Sequence, residues 1–497
     1  MPSSNTCALA TSFDVCVIGG GPGGFAAATR AAARGARVCL VEARELGGVC
    51  LNTGCIPSRA IGATATVCSL VRRGERFGVK TSAPEIVWPD VLARKDRIVR
   101  RLRDGLTQLA RQRRIELVAG RAVLQGAGRV VVASAGSTTT TVLDTKTVIV
   151  ATGARPRGWA VAPFDGRRIL SSDDLLRIPQ LPQRLAVIGG GVIGCEFASY
   201  LAPMGVEVTV YELAPQVLPG QDPDLANALE ASLTKAGVRV FTNARVTAVT
   251  PGAADMVIHM ASGAEPEPGG GGGRQRDLST RPGGGHPHPP VHVDQVLVTI
   301  GRQPNTANLG LEQAGVTLTP SGHVQVDRHL RAAAQTVFAV GDILGRHQTA
   351  YTAGEEGAVA AENALGALQT VDYAVVPDCL FTLPEMATVG LTEPKAREHG
   401  HTSVAVSRIP WSVSGRAQTL DETEGFVKVV YDSSDQRLLG VQIIGPRATD
   451  LIAEAALALK QQMTLTDLVR VLHAHPTLSE LLWEAAAQPL GRALYVR

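Results

Sequence analysis

Aromatic residues are scarce in these 497 residues, at 4%, and neither sign of charge is in excess, the formal net charge being +3. So even a balance argues against the broad electrostatic footprint of a nucleic-acid or anionic-membrane binder. Residues Met1 to Ser12 lack both a basic start and an apolar signal core. No stretch reads as the ~20 consecutive apolar residues of a membrane helix. Cysteine is sparse as well: eight residues, scattered at 7, 16, 39, 50, 55, 68, 195 and 379. Such usage suits a reducing compartment, where a disulfide is catalytic rather than a staple. The expected location is the cytoplasm. What the chain does have is 45% apolar residues, 19% charged ones and 53 glycines, an α/β composition. It is also too long for one core and suits three or four domains.

The most informative stretch is Gly47-Gly48-Val49-Cys50-Leu51-Asn52-Thr53-Gly54-Cys55-Ile56-Pro57-Ser58. Two thiols with so few residues between them can close a small disulfide, and Gly54 relaxes the backbone where ring closure needs it. A zinc site would want a shorter spacing and further Cys or His ligands nearby, and none follow. The pair lies just downstream of a nucleotide-binding signature. Asp14 to Ile18 reads as a buried parallel strand, Gly19 to Gly24 as a glycine turn, and Phe25 to Arg34 as an Ala-rich helix. Gly19, Gly21 and Gly24 have the spacing for a tight turn, close approach to a pyrophosphate and helix-on-strand packing. A second strand, Arg37 to Val41, ends at Glu42, placed to accept hydrogen bonds from a ribose.

The module recurs. Arg184 to Ile188 is a strand, Gly189, Gly191 and Gly194 punctuate the turn, Cys195 to Met204 is the helix, and Val206 to Tyr211 closes on Glu212. A carboxylate there accepts from a free 2′-hydroxyl and repels a 2′-phosphate, which points to NAD rather than NADP. Two dinucleotide sites, one beside a dithiol, imply electrons passing between two cofactors and a disulfide.

Other stretches are plainer. Val91 to Arg114 carries nine Lys and Arg against Asp96 and Asp104, yet Val91, Leu92, Ile98, Val99, Leu102, Leu106 and Leu109 keep a helical apolar stripe. That is a solvated surface helix. Gly263 to Pro290, rich in Gly, Pro and His, reads as a disordered insertion. Segments ending near Gly153 and Gly301 look like strand-to-crossover junctions. Thr336 to Asp342 reads as a strand whose final carboxylate can hold a ribityl hydroxyl. Near the end, His475 lies five residues before Glu480, a spacing that suits a base and its orienting carboxylate.

Along nearly its whole length the chain resembles the class I pyridine nucleotide-disulfide oxidoreductases, flavoproteins that include dihydrolipoamide dehydrogenase, glutathione reductase and mercuric reductase. Gly47 to Ser58 resembles their redox-disulfide motif, Gly19 to Gly24 with Glu42 their FAD motif, Asp342 a second FAD motif, and Gly189 to Gly194 with Glu212 their NAD motif. His473 to Glu480 resembles the dihydrolipoamide dehydrogenase form. Gly425 to Lys428 and Leu439 to Pro446 resemble its interface domain. The resemblance implies an α/β fold with two Rossmann-like FAD- and NAD-binding domains and a C-terminal α+β dimerisation domain. Its expected boundaries are 1–155 for the FAD domain with the disulfide, 156–300 for the NAD domain, 301–372 for a central domain and 373–497 for the interface.

The implied chemistry has Cys50 attacked by dihydrolipoamide, His475 taking the proton, Glu480 holding that imidazole, and Cys55 leaving as the thiolate that passes electrons to FAD and then NAD. It also implies a homodimer in which the His–Glu pair comes from the other subunit, a cis bond at His475-Pro476, and a lipoyl-bearing component of a 2-oxo acid dehydrogenase complex as a partner. One departure stands out: the family typically has Lys after Ser58, paired with a Glu, whereas here Arg59 faces the expectation and Glu196 matches the partner. Arg keeps the charge but is planar and bulkier. Mercuric reductase is disfavoured, because Ala493 to Arg497 carry no vicinal cysteines. Glutathione-type reduction is disfavoured by Glu212 and the residues around His475. A flavin-bound redox sensor or structural subunit is opposed by the intact Cys50, Cys55, His475 and Glu480.

Overall fold

The computed structural model describes residues 11–134, 140–252, 255–261, 290–332 and 335–496. The expected insertion, 263–290, lies outside the described residues except for Pro290. The chain forms two compact units. One comprises Met1–Ala60, Asp90–Arg157 and Gly301–Asp372, the other Ile61–Pro89, Gly158–Ile300 and Tyr373–Arg497.

In the first unit, strand Thr11–Ile18 lies parallel between Val38–Glu42 and Thr140–Val150. Glu116–Ala119 extends the sheet beyond Val38–Glu42, and Val337–Ala339 joins Thr140–Val150, both in parallel. Strands covered on both faces read as unbroken apolar runs, and Val15, Cys16, Val17, Val148 and Ile149 are all fully buried. The first helix is Pro22–Ala33. It starts at Pro22 rather than Phe25, because proline is preorganised for a first turn whose N–H has no intrahelical partner. It packs against helix Ala350–Ala364 so closely that a Cβ on Gly357 would lie 2.1 Å from the Gly23 carbonyl. Buried Glu362 accepts from Arg30 at 2.6 Å and faces Arg34 at 3.3 Å across the same pair.

One sequence expectation holds with shifted bounds, and a second needs correction. The basic helix spans Trp88–Gln112, and its buried positions include Lys95 and Ala110, while Leu102 of the expected stripe is 44% exposed. Helices Gly48–Asn52 and Cys55–Arg72 together form a stretch containing an 18-residue window whose mean hydropathy of 1.2 passes for a membrane span by length and composition alone. The sequence reading missed it because small Ala, Val and Cys residues raise the average without forming an unbroken run of large apolar ones. The stretch is interrupted at Thr53 and Gly54 and carries Arg59 and Arg72.

In the second unit a parallel sheet runs in the order Arg239–Phe241, Glu207–Tyr211, Arg184–Ile188, Gln295–Val298, Ile169–Leu170. A second, antiparallel sheet joins Val246–Pro251, Met256–Met260 and Val291–Val293, with Ile258 opposite Val291. The C-terminal part is an antiparallel sheet ordered Asp378–Leu380, Glu385–Gly390, Leu438–Gly445, Phe426–Asp432, Val404–Pro410. Helices Ala448–Lys460 and Glu480–Ala487 back it, with Ile452, Ala455, Leu481 and Ala485 in its core. Buried Lys428 donates to Asp222 at 2.9 Å and Asp224 at 2.8 Å. Asp222 also caps helix Pro223–Lys235, so the ion cluster ties this sheet to the neighbouring α/β module. The fold is the one expected: two Rossmann-like α/β modules and a C-terminal α+β domain.

Candidate active site

The thiol pair follows a corner that only glycine adopts freely. Gly47 and Gly48 adopt φ of 100° and 58°, conformations that cost a side-chain-bearing residue energy. The Asn52 amide donates to the carbonyls of Leu46 at 3.0 Å and Gly48 at 2.9 Å, bracing the short helix from inside. Ser58 Oγ donates to the Gly54 carbonyl at 2.7 Å and anchors the start of the next helix. A Cβ on Gly48 would lie 2.6 Å from the Gly21 Cα, so the corner rests directly on the first glycine turn. That contact puts the thiols beside the nucleotide loop.

Cys50 is half-buried and Cys55 exposed, and the two are present as thiols. A hydrogen bond to Cys55, burial and the Cys55 charge push the Cys50 thiol far above its ordinary value. Arg59 opposes that shift and Asp342 adds to it.

The two glycine turns are built alike. Gly19 and Gly189 have φ of 103° and 106°. A Cβ on Gly24 would fall 1.8 Å from the Gly19 carbonyl oxygen, and one on Gly194 would fall 2.0 Å from that of Gly189. In both turns the helix comes too close for any side chain. Glu42 accepts from Gly20 N at 2.7 Å and Arg44 N at 2.8 Å. Glu212 accepts from Gly190 N and Ala214 N, both at 2.7 Å. Each carboxylate thus clamps its own turn, and each oxygen keeps a second lone pair for a ribose hydroxyl. Gly21 and Gly191 cap their helices with no side chain over the N-terminus. A Cβ on Gly191 would meet nothing within 4 Å, and one on Gly21 only the Gly48 Cα at 3.8 Å. Open backbone N–H groups at a helix start suit a pyrophosphate, so both turns fit a dinucleotide.

Asp342 lies in the turn Gly341–Leu344 after strand Val337–Ala339, rather than at the end of the strand. Burial raises its pKa, and Arg302, whose Nε is 3.7 Å away, works against that rise. Glu356, which sequence reasoning missed, accepts from Gly341 N at 2.6 Å and fixes this turn. A carboxylate pattern in helix Ala350–Ala364 was the available signal. Gly153 and Gly301 take φ of 66° and 111° with open space at their Cβ positions. They flank the ladder that pairs Ala154–Pro156 with Arg302–Pro304.

His475 and Glu480 do come together, Nδ1 to Oε1 at 2.8 Å, while the other carboxylate oxygen accepts from Thr477 N at 2.7 Å. Glu480 is thereby aimed by the backbone, and the ring keeps Nε2 for a substrate. The His475-Pro476 bond is cis. Arg59, half-buried on helix Cys55–Arg72, lies 3.4 Å from Ser58 Oγ. Glu196, buried on helix Val192–Leu201, accepts from Phe381 N at 2.9 Å. Among the described residues no group of His, Cys, Asp and Glu side chains gathers to hold a metal ion.

Two family models match the chain: pyridine nucleotide-disulphide oxidoreductase over residues 13–357, and the dimerisation domain of the same group over 376–486. A dihydrolipoyl dehydrogenase of Chlamydia muridarum is 37% identical over 487 residues, covering 98% of both chains. One from Geobacillus stearothermophilus is 37% identical over 489 residues, again with 98% of each covered. Among solved structures, LpdA from Mycobacterium tuberculosis aligns with a TM-score of 0.84 at 30% identity, covering 96% of this chain and 99% of its own. The Cu(II) complex of the HOCl-induced flavoprotein disulfide reductase RclA from Escherichia coli aligns at 0.82 and 26%, with 96% and 99% covered.

Proposed function

Because the chain belongs to the pyridine nucleotide-disulphide oxidoreductase family, we propose that this flavoprotein disulfide oxidoreductase oxidises dihydrolipoamide and delivers the electrons to NAD. The observation that carries the reading is His475, fixed through Nδ1 by a carboxylate that is itself fixed by Thr477 N. Relatives named dihydrolipoyl dehydrogenase, matched over 98% of the chain, support it. The dimerisation domain implies a homodimer, and we place His475 of one subunit in service of the thiol pair of the other.

The mechanism follows from the groups present. His475 Nε2 takes the proton from one thiol of dihydrolipoamide, and Glu480 stabilises the resulting imidazolium. That thiolate attacks Cys50 Sγ in the oxidised pair, the Cys50–Cys55 bond breaks, and Cys55 leaves as a thiolate. The second lipoyl thiol then attacks the mixed disulfide, releasing cyclic lipoamide and the reduced Cys50. Two electrons leave the substrate and two thiols appear on the protein. Gly19, Gly21, Gly24, Glu42 and Asp342 would hold FAD, and Gly189, Gly191, Gly194 and Glu212 would hold NAD. The bound cofactors supply the two-electron relay and the final acceptor.

The RclA alignment favours a second reading, in which NADH drives reduction of another disulfide through the same thiols. Anaerobic titration separates the two. Dihydrolipoamide alone should generate two new titratable protein thiols per subunit, and NAD should then consume them. Reduction by NADH without reduction by dihydrolipoamide would overturn the first reading in favour of the second.

A further inference from the structure

We propose that His473 is a positioning residue for His475, clamping the segment that presents the base to helix Ala448–Lys460; the inference rests on the base assignment above. The segment between Val469 and Glu480 belongs to no helix or strand. Val471, Leu472, Ala474, His475 and Pro476 are all exposed, Leu472 at 96%. Within one subunit, core packing therefore does not hold His475 in place, and its own side chain is 63% exposed there. One side chain in this run is tucked in. His473 retains 7% of its side-chain exposure, with Nε2 2.7 Å from Glu454 Oε1 and Nδ1 3.1 Å from the Val471 carbonyl. Glu454 is an acceptor, so the bond to it takes the form of the ring that carries its proton on Nε2.

Glu454 rides on a rigid support. Its helix buries Ile452, Ala455 and Ala458 in the C-terminal core. Downstream, Glu480 and Thr477 brace the imidazole from helix Glu480–Ala487, and Thr477 Oγ1 donates to the Ala474 carbonyl at 2.7 Å. The base is thus tethered at both ends, by Glu480 from below and by the His473–Glu454 pair from above. A general base works only within hydrogen-bond reach of its proton, and a misplacement of about 1 Å can cost a hundredfold.

The test uses the cofactor-loaded dimer and two isosteres. The Gln amide nitrogen stands where His Nε2 stands, and the Asn nitrogen where Nδ1 stands. His473→Asn should lose the bond to Glu454 and His473→Gln should keep it. We expect His473→Asn and Glu454→Ala each to lower kcat/KM for dihydrolipoamide by about tenfold or more. NADH-to-quinone transfer, which needs no thiol base, should stay near wild type in both. His473→Gln should restore most of the lost activity. Amide exchange across residues 471–479 should accelerate in His473→Asn and stay slow in His473→Gln. Unchanged exchange in His473→Asn overturns the clamp, as does faster exchange with dihydrolipoamide turnover intact. Equal loss of both activities also overturns it, marking a general structural defect. His475→Ala, run alongside, separates the premises: if it leaves dihydrolipoamide oxidation intact, the base assignment falls and takes this inference with it, whatever the exchange data show.

Discussion

At Gly24 and Gly194 a single methyl group should decide cofactor binding. Ala at Gly24 would set its Cβ 1.8 Å from a backbone oxygen, and Ala at Gly194 would set one 2.0 Å away. Backbone must move in either case, so Gly24→Ala should purify with most of its flavin lost. Gly194→Ala should keep its yellow colour but lose NADH binding, as visible absorbance and calorimetry would show. Glu212 makes a finer choice. A carboxylate beside a 2′-phosphate is repelled, so NAD should be preferred over NADP by at least tenfold, about 1.4 kcal/mol. Glu212→Gln should narrow that ratio in kcat/KM, and an unchanged ratio would show that the side chain does not face the ribose. Cys55→Ser should abolish both dihydrolipoamide turnover and the gain of protein thiols, and turnover near wild type would remove the dithiol from the mechanism.

These residues were legible in the sequence because each depends on its immediate neighbours. A glycine that must touch a carbonyl, or a thiol that must reach another thiol, leaves a fixed spacing in the chain. The turn around Asp342 was less so: its stiffness comes from Glu356, fifteen positions downstream on another helix. The His473–Glu454 contact was opaque for the same reason, since it forms only once the irregular segment after Val469 folds back onto helix Ala448–Lys460.

Among the elements, the link from strand Phe426–Asp432 to helix Pro223–Lys235 carries a testable cost. Lys428 and Asp222 are 4% and 1% exposed. Removing one partner strands a buried charge, so Lys428→Ala should lose about 3–5 kcal/mol, measured by urea unfolding. Lys428→Met combined with Asp222→Asn should recover much of that loss. Burial lowers the Lys428 pKa, but hydrogen bonds to Asp224 and Asp222 outweigh it and leave the net value above 10.5. A base raised in the folded state stabilises fully below its unfolded pKa and loses that contribution as pH climbs through the folded one. The cluster should therefore hold from neutral pH up to about 10 and weaken only in stronger alkali. Helix starts were harder to read than helix existence. Pro22 and Val192 begin helices that apolar periodicity places some residues later, because the glycine turn itself supplies the first turn.

For the whole molecule the decisive question is which subunit supplies the base. Neither Cys50→Ser nor His475→Ala homodimers should oxidise dihydrolipoamide at more than about a hundredth of the wild-type rate. Mixed and refolded together, they should regain part of the activity, because one of the two sites in each heterodimer then has both groups. Heterodimers confirmed by mass but inactive would place both residues in one subunit.

The antiparallel pairing of Met256–Met260 with Val291–Val293 has a practical consequence. Met256 faces Val293 and Ile258 faces Val291, so the chain leaves and re-enters this sheet on neighbouring strands, a spacing of about 5 Å between them, offset by two residues along the strand. The register holds that doorway whatever spans it. Deleting 263–290 should therefore leave flavin content and turnover close to wild type, as tolerated for surface connections. By the same geometry the doorway is a port for a guest. A small folded domain whose own termini lie close together, spliced between Ala261 and Pro290, would ride on the enzyme as a fluorescent tag while its host keeps working.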